Sequence, residues 1–139
     1  MQFIRAFIAG FLSTLIFHQG LLATLYAGGI SPRPAYVMAS VPPLGIPSVL
    51  SLAFWGGIWG IALWLMIRRS KGATHWLLAL VLGAVLPSIV ALFIVFPMKG
   101  MAMGGGYDPK LIIGALLLNG AWGLGVALIM KLLSPSSKQ

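Results

Sequence analysis

Four long apolar runs dominate this chain and leave very few folds open to it. The runs cover residues 6–28, 48–67, 76–96 and 111–133. At about 1.5 Å per residue, a helix of such length crosses a hydrocarbon core about 30 Å thick. Because a bilayer core offers no water to backbone polar groups, each run must satisfy them internally as a helix. The sequence therefore predicts an all-α integral membrane protein, with residues 1–139 forming one domain of four transmembrane helices.

The charge balance supports a lipid bilayer as the main partner. Hydrophobic residues make up 60% of the chain and charged residues 7%, whereas soluble domains carry about a quarter charged residues. The net charge of +8 would suggest nucleic acid only if the basic residues formed a patch or stripe. Here they lie in the gaps between apolar runs, which is typical of residues that flank membrane spans. We expect no nucleic-acid partner.

The first run, which follows Arg5, has a signal peptide as its alternative interpretation. It is longer than the usual apolar region of a signal peptide, and no clear A-x-A cleavage site follows it. We therefore predict that it is retained as the first span. The chain also contains no cysteine, which excludes disulfides, thiolate metal sites and thiol nucleophiles.

The connections between spans differ in character. Residues 29–47 contain five prolines, which exclude a regular helix, yet the segment is apolar enough either to lie in the membrane interface or to fold back over helix ends. Residues 98–110 form a glycine-rich loop, and the tail 134–139 is predicted to be disordered. Within the third run, Pro87 predicts a kink and Pro97 predicts the end of the helix.

Basic residues beside the spans predict the orientation, because the cytoplasmic side carries the excess. The side of the termini and the central turn has six, namely Arg5, Arg68, Arg69, Lys71, Lys131 and Lys138. The other side has three, namely Arg33, Lys99 and Lys110. We therefore predict a multi-pass protein of a bacterial-type inner membrane with both termini in the cytoplasm.

A short motif, Gly-x-Trp-Gly, occurs in the second and the fourth run, each time about eight residues before a basic residue. This echo predicts two helical hairpins related as a parallel internal repeat, with chance similarity as the alternative. Small residues spaced four apart let helix backbones approach closely. The predicted helix-packing residues are Gly56, Gly57, Trp59, Gly60, Gly120, Trp122 and Gly123.

Polar side chains inside the spans are costly and are therefore candidates for function. They are His18 and Gln19 in the first run, Ser88 in the third and Asn119 in the fourth. Counting residues from the span ends places His18 and Asn119 at similar depth, near the middle of the bilayer. One interpretation is interhelical hydrogen bonding around the Pro87 kink; the other is a polar site for a small solute or a proton, with His18 as the titrating group.

Metal and cofactor sites have weaker support. His18 and His75 lie at different depths, so they cannot be the two axial ligands of one haem, and no cofactor is predicted. His75 and Trp76 instead resemble an interfacial anchor. Met98, Met101 and Met103 offer thioether ligands that suit Cu(I), although methionine also fills apolar gaps.

Catalysis is not expected, because the chain has one carboxylate, Asp108, which cannot form an acid–base pair alone. Its position before Pro109 predicts a cap for the fourth helix. The leading functional prediction is a binding or accessory subunit of a membrane complex, acting as a homo-oligomer or with a membrane-protein partner. The alternatives are a small oligomeric transporter or channel using His18 and Asn119, and Cu(I) handling outside the cytoplasm by the three methionines.

Overall fold

Four helices occupy the four apolar runs, and each is long and apolar enough to cross a membrane. We label them α1, Gln2–Ala27; α2, Ser48–Ile67; α3, Gly72–Met98; and α4, Pro109–Leu133. The structure is a computed structural model that describes residues 1–135. The prediction of a disordered tail therefore falls largely on residues 136–139, which lie outside the described range.

The helix bounds differ from the predicted runs mainly at their polar ends. Helices α1 and α3 each begin four residues before the apolar run, at Gln2 instead of 6 and at Gly72 instead of 76. Backbone hydrogen bonding continues into flanking residues whatever their polarity, which explains the extension. Pro87 lies inside α3, and the helix continues past it. The helix ends at Met98, one residue after Pro97.

Two of the helices contain a wider, π-helical turn that the sequence did not predict. The turn in α1 covers Thr14–His18, and that in α3 covers Ala91–Val95. Such turns interrupt the regular hydrogen-bond ladder and are frequent at functional sites. Both lie in the same half of the molecule, toward the ends of α1 and α3 that carry the two long connections.

The connection between α1 and α2 is not helical, as predicted. Its only regular elements are two short antiparallel strands, β1 at Ser40–Val41 and β2 at Ile46–Pro47. The amide of Val49 in α2 donates to the carbonyl of Val37, which fixes the connection to the start of that helix. The segment therefore folds back over the helix ends, one of the two arrangements considered from the sequence.

The connection between α3 and α4 contains a 3-10 turn at Met103–Tyr107. Its three consecutive glycines, Gly104, Gly105 and Gly106, have φ values of 63°, 63° and 68°. These values lie in the left-handed region, which glycine adopts without steric cost. Asp108 then caps α4 by accepting a hydrogen bond from the amide of Lys110 at 3.0 Å, which confirms its predicted capping role.

The four helices pack unevenly along their length. Helix α1 packs along both α2 and α4, and α3 packs along α4, whereas α2 and α3 share little contact. We call the end with the short turn between α2 and α3 the turn end, and the opposite end the loop end. The main cluster of buried apolar residues lies toward the turn end: Ala6, Ala9, Leu63, Ile67, Ala79, Trp122, Val126, Ala127, Ile129 and Met130. The bundle is therefore close-packed at the turn end and looser at the loop end.

Candidate functional site

The looser half of the bundle contains a partly open cavity of about 830 Å³. All four helices line it, mainly with residues from the half of each helix nearest the loop end. Along α4 its lining runs from Lys110 to Trp122, twelve residues or about 18 Å. The cavity therefore reaches from the loop end to about the middle of the bundle, roughly the depth of one bilayer leaflet.

Close glycine contacts begin where the cavity ends and draw the helices together. On one side, a Cβ built on Gly60 of α2 would lie 2.8 Å from the Cα of Gly10 in α1. On the other, a Cβ built on Gly83 of α3 would lie 2.7 Å from the Cα of Gly123 in α4. Both distances are too short for any side chain, so the two backbones touch at each crossing.

The predicted packing residues thus fall into two groups. Gly56, Gly57, Gly60, Gly120 and Gly123 each face another helix so closely that an added Cβ would meet its atoms. The two tryptophans of the repeated motif differ from each other. Trp122 is buried, whereas Trp59 is only partly buried, and both line the end of the cavity.

Trp122 also makes a hydrogen bond between the first and the last helix. Its indole Nε1 donates to the carbonyl oxygen of Gly10 at 3.1 Å, and the Ser13 hydroxyl donates to the carbonyl oxygen of Trp122 at 2.6 Å. These bonds are buried, where an unpaired polar group would be costly. They join α1 to α4 directly below the cavity.

The four predicted polar residues lie around the cavity, but they do not form one continuous cluster. His18, Gln19 and Asn119 line it, whereas Ser88 is buried behind it. The amide of Asn119 donates to the hydroxyl of Ser88 at 2.9 Å, next to Pro87. Asn119 therefore bonds a side chain near the predicted kink, and not a carbonyl that the proline frees.

Gln19 and His18 belong to a second set of hydrogen bonds. The side-chain amide of Gln19 lies 3.1 Å from Nδ1 of His18, and its carbonyl oxygen accepts from the backbone amide of Tyr36 at 2.8 Å. The Tyr36 hydroxyl donates to the carbonyl oxygen of Leu15 at 2.7 Å, within the π-helical turn of α1. Together these bonds fasten the proline-rich connection to the side of α1.

The mouth of the cavity, at the loop end, carries charge. Arg33, Lys99, Asp108 and Lys110 all line it. The guanidinium of Arg33 lies over the ring of Phe96, 5.7 Å from its centre, so the connection after α1 reaches across to α3. With three cations and one carboxylate, the mouth has a net charge of +2.

The remaining sequence candidates lie elsewhere. Met98 and Met103 are exposed and Met101 is half-buried, and none of the three lines the cavity. His75 lies at the turn end, with Nδ1 3.2 Å from the carbonyl oxygen of Ile67. Within residues 1–135, no three His, Cys, Asp or Glu side chains are placed to hold a metal ion.

Sequence reasoning missed the helix partners, the π-helical turns and the anchoring role of Tyr36. Gly10 and Gly83 each follow an alanine by four residues, the same small-residue spacing that marked α2 and α4, so that signal was present. Nothing in the sequence links Tyr36 with Gln19, because their contact depends on how the connection folds back.

The fold and site define a four-helix bundle of membrane-spanning length with a cavity in its loop-end half. In comparisons with known proteins, no family model, no curated protein sequence and no solved structure matched this chain.

Proposed function

We propose that this protein is a binding protein of a bacterial-type inner membrane, which holds an apolar or amphipathic small molecule between its helices. The observation that carries the proposal is the cavity of about 830 Å³, which is open toward the loop end and closed by glycine-packed helices below. Its volume lies within the range of about 300–1,000 Å³ that is usual for small-molecule sites.

The polar side chains considered around the cavity already have hydrogen-bond partners, which favours a ligand whose buried part is apolar. The Thr14 hydroxyl donates to the carbonyl oxygen of Gly10 at 2.9 Å, and the amides of Gln19 and Asn119 are engaged with His18 and Ser88. Side chains that already have partners make little demand on a ligand. The rest of the wall at this depth is apolar, with residues such as Leu22, Leu52, Val95 and Leu118.

Binding is favoured over catalysis by the chemistry of the same residues. Asp108, the one carboxylate of the chain, lies at the mouth and accepts the capping bond from Lys110. A lone capping carboxylate is poorly suited to general acid–base work. A protein that holds a ligand without changing it would fit the accessory role in a membrane complex that the sequence predicts.

We also propose that the loop end lies outside the cytoplasm and that the chain forms two hairpins. The six-to-three distribution of basic residues supports this orientation. An internal repeat is supported by equivalent contacts, because Gly60 meets Ala6 and Gly10 in one helix pair while Gly123 meets Ala79 and Gly83 in the other. In both pairs the partner is Ala-x-x-x-Gly.

Photo-crosslinking tests the binding function. The probe is a long-chain alcohol carrying a diazirine in its chain, added to the full-length protein in lipid vesicles, with labelled residues located by peptide mass spectrometry. Labelling of cavity residues such as Leu22 and Leu118 is expected. Gly114 lines the cavity, and a Cβ added there meets nothing within 4 Å, so Gly114→Leu should fill the space without a clash.

The matched control is Ala73→Leu, which adds similar apolar volume at an exposed position near the turn end. Gly114→Leu should reduce labelling of the cavity residues several-fold and leave labelling of the outer helix surface unchanged. Ala73→Leu should leave both unchanged. If the cavity residues are labelled no more than the outer surface, the binding proposal is wrong.

The absence of cysteine makes the orientation simple to test. Single variants Ser70→Cys in the turn and Ala102→Cys in the glycine-rich connection would be treated in whole cells with a membrane-impermeant maleimide. Labelling of residue 102 without labelling of residue 70 is expected. The reverse pattern would overturn the topology and leave the cavity proposal standing.

A small transporter is the second candidate, because His18 and Asn119 line the cavity near the middle of the bundle. Transport would require the glycine crossings at the turn end to open. Proton or solute flux into protein-containing vesicles, reduced at least several-fold by His18→Ala, would favour this candidate. Flux equal to that of protein-free vesicles would rule out the transport function.

A further inference from the structure

We propose that the ligand is an anionic phospholipid of the surrounding bilayer, with its headgroup at the cationic mouth and one chain in the cavity. This inference rests on the proposed binding function and specifies the class of ligand. It follows from the position of three charges relative to an apolar cavity of one-leaflet depth.

The charge complementarity comes first. Arg33, Lys99 and Lys110 come from three separate segments of the chain, yet all line the same mouth. Each is exposed, so none is buried in a structural ion pair. Asp108 is held by its capping bond to the amide of Lys110, which leaves a net charge of +2 for an anionic group at this level. Phosphate is a preferred partner of both arginine and lysine.

The depth of the cavity specifies the rest of the ligand. The cavity extends about 18 Å from Lys110 to Trp122, and one leaflet of hydrocarbon is about 15 Å thick. A lipid whose headgroup lies at the mouth therefore has a chain of suitable length to reach the end of the cavity. A small water-soluble anion would fill the mouth and leave the apolar space below it empty.

The cavity is also accessible from the lipid side. Trp55, Ile113 and Leu117 line it, yet 59%, 56% and 53% of their surfaces are exposed. Helix α2 also shares little contact with α3 and α4 although all three line the cavity, so the wall has an opening beside α2. One chain of a two-chain lipid can enter the cavity through this opening while the second chain stays against the outside of the bundle.

The test uses two photoactivatable lipids with the same diazirine-bearing chain, phosphatidylglycerol with net negative charge and phosphatidylcholine with none. Each is present as a trace component in vesicles of unlabelled phosphatidylcholine containing the full-length protein. We expect phosphatidylglycerol to label Leu22 and Leu118 roughly tenfold more than phosphatidylcholine at low salt, and less selectively at high salt.

Two triple variants separate charge from shape. Arg33→Gln with Lys99→Gln and Lys110→Gln should abolish the preference for phosphatidylglycerol without lowering phosphatidylcholine labelling. Arg33→Lys with Lys99→Arg and Lys110→Arg retains the charges and should retain the preference. All six substitutions are at exposed positions, so the fold should survive them.

The outcomes distinguish this inference from the function on which it rests. Equal labelling by both lipids, with Gly114→Leu still lowering it, would overturn the headgroup assignment and preserve the binding function. Absence of cavity labelling by either lipid, together with absence of labelling by the neutral alcohol, would overturn both. A preference for phosphatidylglycerol that the Gln variant retains would also overturn the assignment to these three residues.

Discussion

The indole of Trp122 in the last helix donates a hydrogen bond to the carbonyl of Gly10 in the first, across 3.1 Å and 112 positions of sequence. The corresponding residue of the other Gly-x-Trp-Gly motif, Trp59, lines the cavity and makes no side-chain hydrogen bond within the described residues. Both indoles border the end of the cavity, but within the described residues that of Trp122 alone also joins two helices by a hydrogen bond.

This difference predicts the effect of replacing each indole by phenylalanine. Trp122→Phe should lower the free energy of unfolding by about 1 kcal/mol, because it removes a buried hydrogen bond that joins α1 to α4. Trp59→Phe, the matched control, should change it by less than half as much. Reversible unfolding in mixed micelles measures both, and equal effects would contradict the assigned roles.

The glycine crossings predict a strong dependence on side-chain size. Gly123→Leu should destabilise the protein by about 1–3 kcal/mol or prevent folding, because an added Cβ would lie 3.0 Å from the Cα of Gly83. Gly114→Leu, nine positions earlier on the same helix, meets open space and should be neutral or slightly stabilising, since leucine is the better helix former. Thermal denaturation of the two variants in the same detergent makes the comparison, and similar losses would contradict the predicted close crossing.

The bond between Asn119 and Ser88 predicts a measurable coupling. The single variants Asn119→Leu and Ser88→Ala and the double variant form a thermodynamic cycle. An interaction free energy of about 0.5–1.5 kcal/mol is expected, the range usual for hydrogen bonds between membrane helices. Additive losses would show that the two side chains do not stabilise each other.

The hydrogen bonds of Tyr36 predict that this residue helps to hold the proline-rich connection against α1. Tyr36→Phe removes the hydroxyl that donates to Leu15 and should speed hydrogen exchange or proteolysis in residues 28–47 several-fold. The backbone amide of Tyr36 still bonds Gln19, so attachment should be weakened and not lost. Tyr26→Phe is the control, since Tyr26 is half exposed at the end of α1. If Tyr26→Phe has the same effect as Tyr36→Phe, the Tyr36 hydroxyl does not anchor the connection.

The sequence predicted the helices well because span length and apolarity are local properties. The run 48–67 became α2 with the same bounds, and Asp108 became the cap of α4. Local patterns failed where geometry depends on distant residues. The π-helical turn Thr14–His18 accompanies a hydrogen bond from Tyr36, which is 21 positions from its acceptor, and no spacing rule connects the two.

The cavity itself was also beyond sequence reasoning, for a related reason. His18 and Asn119 were predicted to share a depth, and both line the same space, but depth alone does not reveal whether the helices around them meet or diverge. That property depends on where the backbones touch, at Gly60 and Gly123, and on how far each helix continues beyond that contact.

Those two contacts have a mechanical consequence. Because each lies partway along its helices, it acts as a fulcrum, with one arm toward the turn end and the other toward the loop end. A change of about 5° in a helix crossing angle would move a point about 20 Å along the outer arm by roughly 2 Å. The width of the cavity therefore depends on the helix crossing angles at two glycine contacts that lie outside the cavity. A side chain added at either contact would change the width of the cavity without entering it.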